Sequence, residues 1–168
     1  MGQRGEMLTI RDFTGQDLTA IHAANEANLP HVNSLNAEQF AELANKTTYF
    51  KVATLDGKLA GFLMAMIPKA DYASDNYQWF SRHYDDFIYV DRIITLDYAR
   101  GQGVGSALYQ DIENYCHDHA ISRVCCEVNI RPANDASIQF HEKREYKQVN
   151  TQQTEGGKKS VSLRVKTL

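Results

Sequence analysis

A chain of 168 residues, 43% hydrophobic and 23% charged, has the size of one domain (1–168), large enough for a sizeable core and too short for two. Its formal net charge of −3 gives no general attraction for phosphate backbones or anionic membranes, which argues against nucleic acid and membrane partners. No apolar run approaches the roughly 20 residues that span a bilayer, and the opening "MGQRGEMLTIRDF" lacks the apolar segment of a secretory signal, so a cytoplasmic location is expected.

Strands and helices alternate along the chain. "MLTIRDF" (Met7 to Phe13) reads as a strand, and Gly15 to Asn28 has helical spacing at Leu18, Ile21 and Ala24 before Pro30 stops it. A second helix is expected over Ala37 to Ala44, capped by Asn36. "TYFKVATL" and "LAGFLMAMI" flank Asp56-Gly57, a tight-turn signal, and form a hairpin. The polar and aromatic stretch Lys69 to Asp86, with Trp79 and Phe80, reads as a substrate lid, a core plug or a dimer surface. "FIYVDRIITL" is a strand buried on both faces. There follow a helix over Gly103 to Ala120, the strand "SRVCCEVNI", a short helix from about Asn134 to Lys143, and terminal strands around "YKQV" and "SVSLRV". A hairpin followed by alternating units implies a mixed sheet with helices packed on it. Cys116, Cys125 and Cys126 are odd in number and lack paired C-x-x-C spacing, so they read as buried thiols and not as a disulfide or zinc framework.

"RGQGVGSALYQDIENYC" holds three glycines in five positions at the mouth of a helix. Such a turn leaves N–H groups without helical partners, adds the positive end of the helix dipole, and lets an anion approach bare backbone, with Arg100 adding a full charge. The same glycines also serve a sharp strand-to-helix turn. No lysine follows them, which removes the nucleotide-hydrolysing P-loop. Gly101-x-Gly103-x-x-Ser106 nearly fits the dinucleotide fingerprint, but too little chain remains for that larger fold.

The segment "RIITLDYARGQGVGSALYQDI" resembles the acetyl-CoA-binding segment of the GCN5-related N-acetyltransferases, whose pattern is met by Arg100, Gly103 and Gly105. "CCEVNIRPANDASIQFHEKREYKQV" is similar to the second half of that family's core. The resemblance implies an α/β fold with a mixed, mostly antiparallel seven-stranded sheet, splayed between strands 4 and 5 and flanked by about four helices. It implies acetyl-CoA as cosubstrate with no metal, a small-molecule or peptide amine as acceptor, and a homodimer as one possible state. On this resemblance the backbone of Ile93, Ile94 and Thr95 pairs with the pantetheine arm. Gly101, Gln102, Gly103, Val104, Gly105 and Ser106 hold the pyrophosphate, and Asn134 touches the arm or caps the following helix.

Acetyl transfer to an amine needs a group to take the amine proton, a donor for the oxyanion, and a proton for the leaving thiolate. Two-residue alternation puts Cys125, Glu127 and Asn129 on one strand face, opposite Val124, Cys126 and Val128. Glu127 resembles the catalytic glutamate of ribosomal-protein alanine acetyltransferases; its other reading is a half-exposed surface ion pair. Where many relatives have tyrosine in "YEKLGF", this chain has "HEKREY", so His141 stands at the general-acid position as acid, base or orienting donor. Asp91, expected to share a face with Tyr89, Ile93 and Thr95 and to point away from Arg92, is a second base or a structural partner. Asn25, Asn28 and His31 lie where relatives recognise acceptors. A cradle without turnover, as in an acyl-CoA sensor, is the alternative function.

Overall fold

Apolar alternation and one tight turn build the first half of the sheet. In the computed structural model, which describes residues 7–168, β1 (Leu8–Asp12), β2 (Tyr49–Leu55) and β3 (Lys58–Met66) pair antiparallel. Asp56 and Gly57 have φ of 50° and 82°, the left-handed pair that a mirror-type two-residue hairpin turn requires. The first six residues, part of the opening segment read above for a secretory signal, lie outside the described residues. Helix α1 (Leu18–Glu26) and α2 (Ala37–Lys46) fill the β1–β2 connection. Asn36 Oδ1 accepts from Gln39 N at 2.8 Å, and Gln39 Oε1 accepts from Asn36 N at 2.9 Å, a reciprocal cap.

Against the expected count of about four, the described residues hold five helices, the additional one being α3 (Asp75–His83) inside the polar aromatic stretch. Ser74 Oγ accepts from Tyr77 N at 3.3 Å and caps it. Tyr77 and Phe80, one helical turn apart, are buried, so of the three readings of this stretch the core plug describes them. The Tyr77 hydroxyl donates to Ile67 O at 2.6 Å and accepts from Ala70 N at 2.9 Å, which pins α3 to the preceding loop.

Then come β4 (Ile88–Thr95), α4 (Val104–Asp118), β5 (Arg123–Arg131), α5 (Asp135–Lys143), β6 (Lys147–Thr154) and β7 (Lys159–Thr167). The sheet order is β1-β2-β3-β4-β5-β7-β6, antiparallel throughout except for the parallel β4–β5 pair. That pair is joined at Ile88–Val124 and Tyr89–Cys125 and is unpaired from Val90 onward, so the sheet splays between strands 4 and 5. One sheet face packs residues of α1, α2 and α3 with Tyr89, Ile94 and Cys125; the other packs α4 and Phe140 of α5 with Ile88, Val90, Ile93, Val124 and Cys126. The splay is therefore an opening between two helical layers.

One register feature overturns an expectation. β3 and β4 slip between Met64–Arg92 and Ala65–Val90, leaving Asp91 as the extra residue of a bulge. Val90 and Ile93, three apart, consequently share a face, and Ile93 lies across the sheet from Tyr89 instead of beside it. Asp91 and Arg92 do not point to opposite faces: Arg92 Nε donates to Asp91 Oδ2 at 3.1 Å, and both line the same cleft.

The two halves of the splayed sheet are tied by a buried charge. Glu113 of α4, a helix packed mainly on β1–β4, accepts from Lys166 Nζ of β7 at 2.9 Å, from the Tyr146 hydroxyl at 2.8 Å and from Arg144 at 3.3 Å. No helix of the described residues is long and apolar enough to cross a membrane.

Candidate active site

β4 ends at Thr95, a short 3-10 turn (Asp97–Ala99) follows, and Gly103 caps α4 in the left-handed region with φ 80°. Gly101 has φ 77°, and a Cβ on either residue would meet nothing within 4 Å, so this loop presents bare backbone to open space. The first helical hydrogen bond of the cap runs from Ala107 N to Gly103 O at 3.0 Å, which leaves the N–H groups of Val104, Gly105 and Ser106 to an outside acceptor. Gly105 has a different reason: a Cβ there would sit 3.3 Å from Phe140, so it seats α4 against α5. Arg100 is exposed and paired with Asp97 at 3.1 Å, and Gln102 Nε2 donates to Tyr98 O at 3.3 Å.

A cleft of about 430 Å³ passes through the splay. Ile93 and Ile94 line it, and Thr95 follows them on the same strand beyond the last β4–β5 pair. Asn134 Oδ1 accepts from Ser137 N at 3.4 Å, capping α5, and the residue also borders the cleft, so both of its expected positions are compatible. Gly61, which carried no sequence signal, is required for this shape: a Cβ on it would lie 2.5 Å from Ile94 O.

Glu127 lies in the cleft on the α1–α3 side of the sheet and, among the described residues, is in no surface ion pair. Alternation on β5 holds as expected, with Cys125 in one core and Val124 and Cys126 in the other. The Tyr89 hydroxyl donates to Glu127 Oε2 at 2.7 Å. Burial, and then the neighbouring Asp91 charge, push the Glu127 carboxyl up to about 8, while hydrogen bonds from Tyr89 and Asn76 and the charge of Arg92 work in the opposite sense. Asp91 accepts the Tyr72 hydroxyl at 2.6 Å on Oδ1 and Arg92 on Oδ2. Arg92 in turn donates to Asn25 Oδ1 at 2.7 Å and to Asn33 O at 3.1 Å, and it also bonds the Asn33 side chain. Asn25 is thus fully buried and committed to Arg92. Asn28 and His31 do border the cleft, and His31 O accepts from Asn129 Nδ2 at 3.0 Å.

His141 lies on the α4–α5 side and is 3% exposed. Its Nδ1 is 2.7 Å from Ser137 O, a carbonyl that can only accept, so Nδ1 carries the proton. Nε2 therefore accepts from the Tyr109 hydroxyl, 2.6 Å away. Burial lowers the His141 pKa to about 4, which keeps the ring neutral. Tyr72, Tyr89 and Tyr109 were not legible as site residues, because each acts on a partner between 19 and 38 positions away on another element. The three thiols are free and buried, and burial raises the pKa of each; Cys126 borders the cleft without becoming a thiolate. Among the described residues no group of three or more His, Cys, Asp or Glu side chains is placed to hold a metal ion.

The sequence model described as the acetyltransferase (GNAT) family matches residues 17–146. No curated protein matches the chain. Among solved structures, Ard1 from Thermoplasma volcanium superimposes with a TM-score of 0.78 at 18% identity, over 96% of this chain and 97% of that one. Arabidopsis thaliana NAA60 in complex with acetyl-CoA gives 0.77 at 17% identity, over 96% and 100%. The ribosomal-protein-S18-alanine N-acetyltransferase from Escherichia coli gives 0.73 at 17% identity, over 96% and 94%. These likenesses establish the fold, and the sequence match over most of the chain establishes the relationship: the protein belongs to the acetyltransferase (GNAT) family.

Proposed function

We propose that the protein moves acetyl from acetyl-CoA directly to a primary amine, within a ternary complex, using Glu127 as the general base. The observation that carries this reading is the division of the cleft. The glycine cradle and His141 belong to the α4–α5 layer, whereas Glu127 and Asp91 face the α1–α3 layer across the splay. Donor and acceptor then enter from opposite faces and meet at the opening. Acetyl-CoA supplies the activated acyl group. On this reading Arg100 and the backbone of Gly101 to Ser106 hold its pyrophosphate. The free edge of β4 at Ile93, Ile94 and Thr95 pairs with its extended arm, beside Asn134.

Glu127 takes the proton that the amine must lose as it attacks, directly or through one water. Asp91, bound by Tyr72 and Arg92, raises the basicity of Glu127 through its charge and is not itself the base. His141 orients Tyr109 at the cofactor side; its Nε2 accepts a proton bond and has none to give the leaving sulfur. Cys126, held as a thiol by burial, offers no acyl-enzyme route, which favours direct transfer.

The acceptor is a small molecule, an amino acid or a peptide N-terminus. The fold it shares with an enzyme named for ribosomal-protein S18 alanine supports testing peptide N-termini first. A panel of peptides, amino acids and small amines, read by CoA release, tests the proposal: turnover with at least one amine, dependent on Glu127, is expected. Binding of acetyl-CoA without release for any amine would instead make the protein a sensor.

A further inference from the structure

We infer that the acceptor end of the cleft is built against carboxylates: it takes a primary amine whose neighbouring groups are neutral or cationic, as in a peptide N-terminus or a simple amine, and refuses a free amino acid, because each lysine or arginine bordering it is already held by a carboxylate of the chain. This deepens, and rests on, the reading of the protein as an amine acetyltransferase with Glu127 as the base. Among the described residues, Arg92 and Lys159 are the lysine and arginine side chains that border the cleft. Arg92, with a side chain 4% exposed, pairs through Nε with Asp91 at 3.1 Å, gives Nη1 to Asn25 Oδ1 and Asn33 O, and gives Nη2 to the Asn33 side chain. These bonds use all but one of its five N–H groups, whereas a carboxylate held in a fork needs two. Lys159, at the start of β7, lies 3.7 Å from Glu155 in the 3-10 turn that precedes it.

What these pairs leave over is negative. Asp91 and Glu155 are balanced by their partners, while Glu127 and Asp75, the other acids on the cleft wall, are in no ion pair among the described residues. The charge of Arg92 also favours the ionised Glu127, so it is shared between two carboxylates before any substrate arrives. Glu127 must be ionised to take a proton, so this field is present in the productive complex. An amine within hydrogen-bond reach of Glu127 brings a carboxylate on the same carbon to about 5 Å from it, where an effective dielectric of about 20 turns the repulsion into a discrimination of about 100-fold or more. An amide in the same place carries no charge, and the side chains of Asn28, Asn33 and Ser74 on the wall offer donors and acceptors to its N–H and C=O. An imidazolium at His31, exposed at the mouth, is the one further cation this side can form, and an alkaline assay keeps it out of the comparison.

The test compares matched acceptors: alaninamide with alanine and glycinamide with glycine, at saturating acetyl-CoA and about pH 9, with CoA release expressed per unprotonated amine. The amide of each pair should have a kcat/KM about 100-fold or more above that of its free amino acid. A tripeptide amide and spermidine, run beside them, tell a peptide N-terminus from a simple amine by which has the higher kcat/KM. Glu155→Gln releases Lys159 and should raise kcat/KM for alanine relative to alaninamide by about tenfold, a gain that Lys159→Met on the same background should cancel. Asp75→Asn, which removes one of the unpaired charges, should narrow the preference in the same direction. Alanine turned over within about threefold of alaninamide overturns the selectivity. So does a preference unchanged in both Glu155→Gln and Asp75→Asn, with melting curves recording that each is folded; should one fail to fold, the other decides. Selectivity that persists while Glu127→Gln releases CoA at the full rate sinks the base assignment alone, and no release with any acceptor sinks acetyl transfer and this inference with it.

Discussion

A carboxyl group pushed up to about 8 is mostly protonated at neutral pH and becomes a base above it. If Glu127 takes the amine proton, kcat/KM should rise about tenfold per pH unit below that value and level off above it. Glu127→Gln should lower kcat by about 10²- to 10⁴-fold and abolish the limb, as measured by CoA release across pH 6 to 10. The same shift has an opposite sign for stability. A raised folded pKa contributes stability present below the unfolded value and lost as pH rises through about 8, so Glu127→Gln should melt higher than wild type at pH 9 and not at pH 4. His141 runs the other way: its folded pKa is lowered to about 4, so its contribution is present above pH 6.5 and is lost as pH falls toward 4. His141→Phe should flatten the melting temperature over that window, while leaving the Tyr109 hydroxyl without its acceptor, at a cost of about 1–3 kcal/mol.

Helix and strand identities were legible where the period was clean. The glycine run before α4, the Asp56-Gly57 hairpin and the Asn36 cap each carried their geometry in local chemistry. α3 was obscured because among Asp75–His83 the buried residues are Tyr77 and Phe80, too few to mark a helical stripe. The β4 bulge was hidden for a different reason. Period-two alternation is the default for a strand, and a slipped register becomes visible only through the partner, β3. Its one sequence trace is the adjacent pair Asp91-Arg92 in an apolar run. Glu127 was legible from alternation and family likeness, but its Tyr89 partner lies 38 residues away on another strand. At this scale two glycines make separate predictions. Gly61→Ala drives a Cβ against a backbone oxygen at 2.5 Å, which cannot rotate away, and should cost about 1–3 kcal/mol in urea unfolding. Gly103→Val forces a branched side chain to φ 80° and covers the open cradle, so the rise in melting temperature given by CoA to the wild type should disappear.

Across the whole molecule, a sheet joined at its centre by two residue pairs needs another clasp, and Glu113 provides it. The carboxylate binds groups of β7 and of the α5–β6 junction, while its helix packs on β1–β4 and also touches β5. Glu113→Ala leaves Arg144 and Lys166 without their buried counter-charge and should destabilise by about 3–5 kcal/mol. Glu113→Gln, which retains an acceptor for Tyr146, should cost less, as measured by urea unfolding.

The parting of β4 from β5 has one more consequence, which concerns what is thin enough to enter. An outer sheet border can recruit any neighbouring polypeptide, but this inner border is roofed on both sides by helices. An unbranched chain that offers amides without bulky substituents can slip into such a slot. A peptide strand, with side chains projecting above and below, cannot follow it. Deuterium uptake should therefore be rapid in the stretch after Val90 when the protein is alone and should slow sharply with coenzyme A, while an added peptide on its own leaves it unchanged.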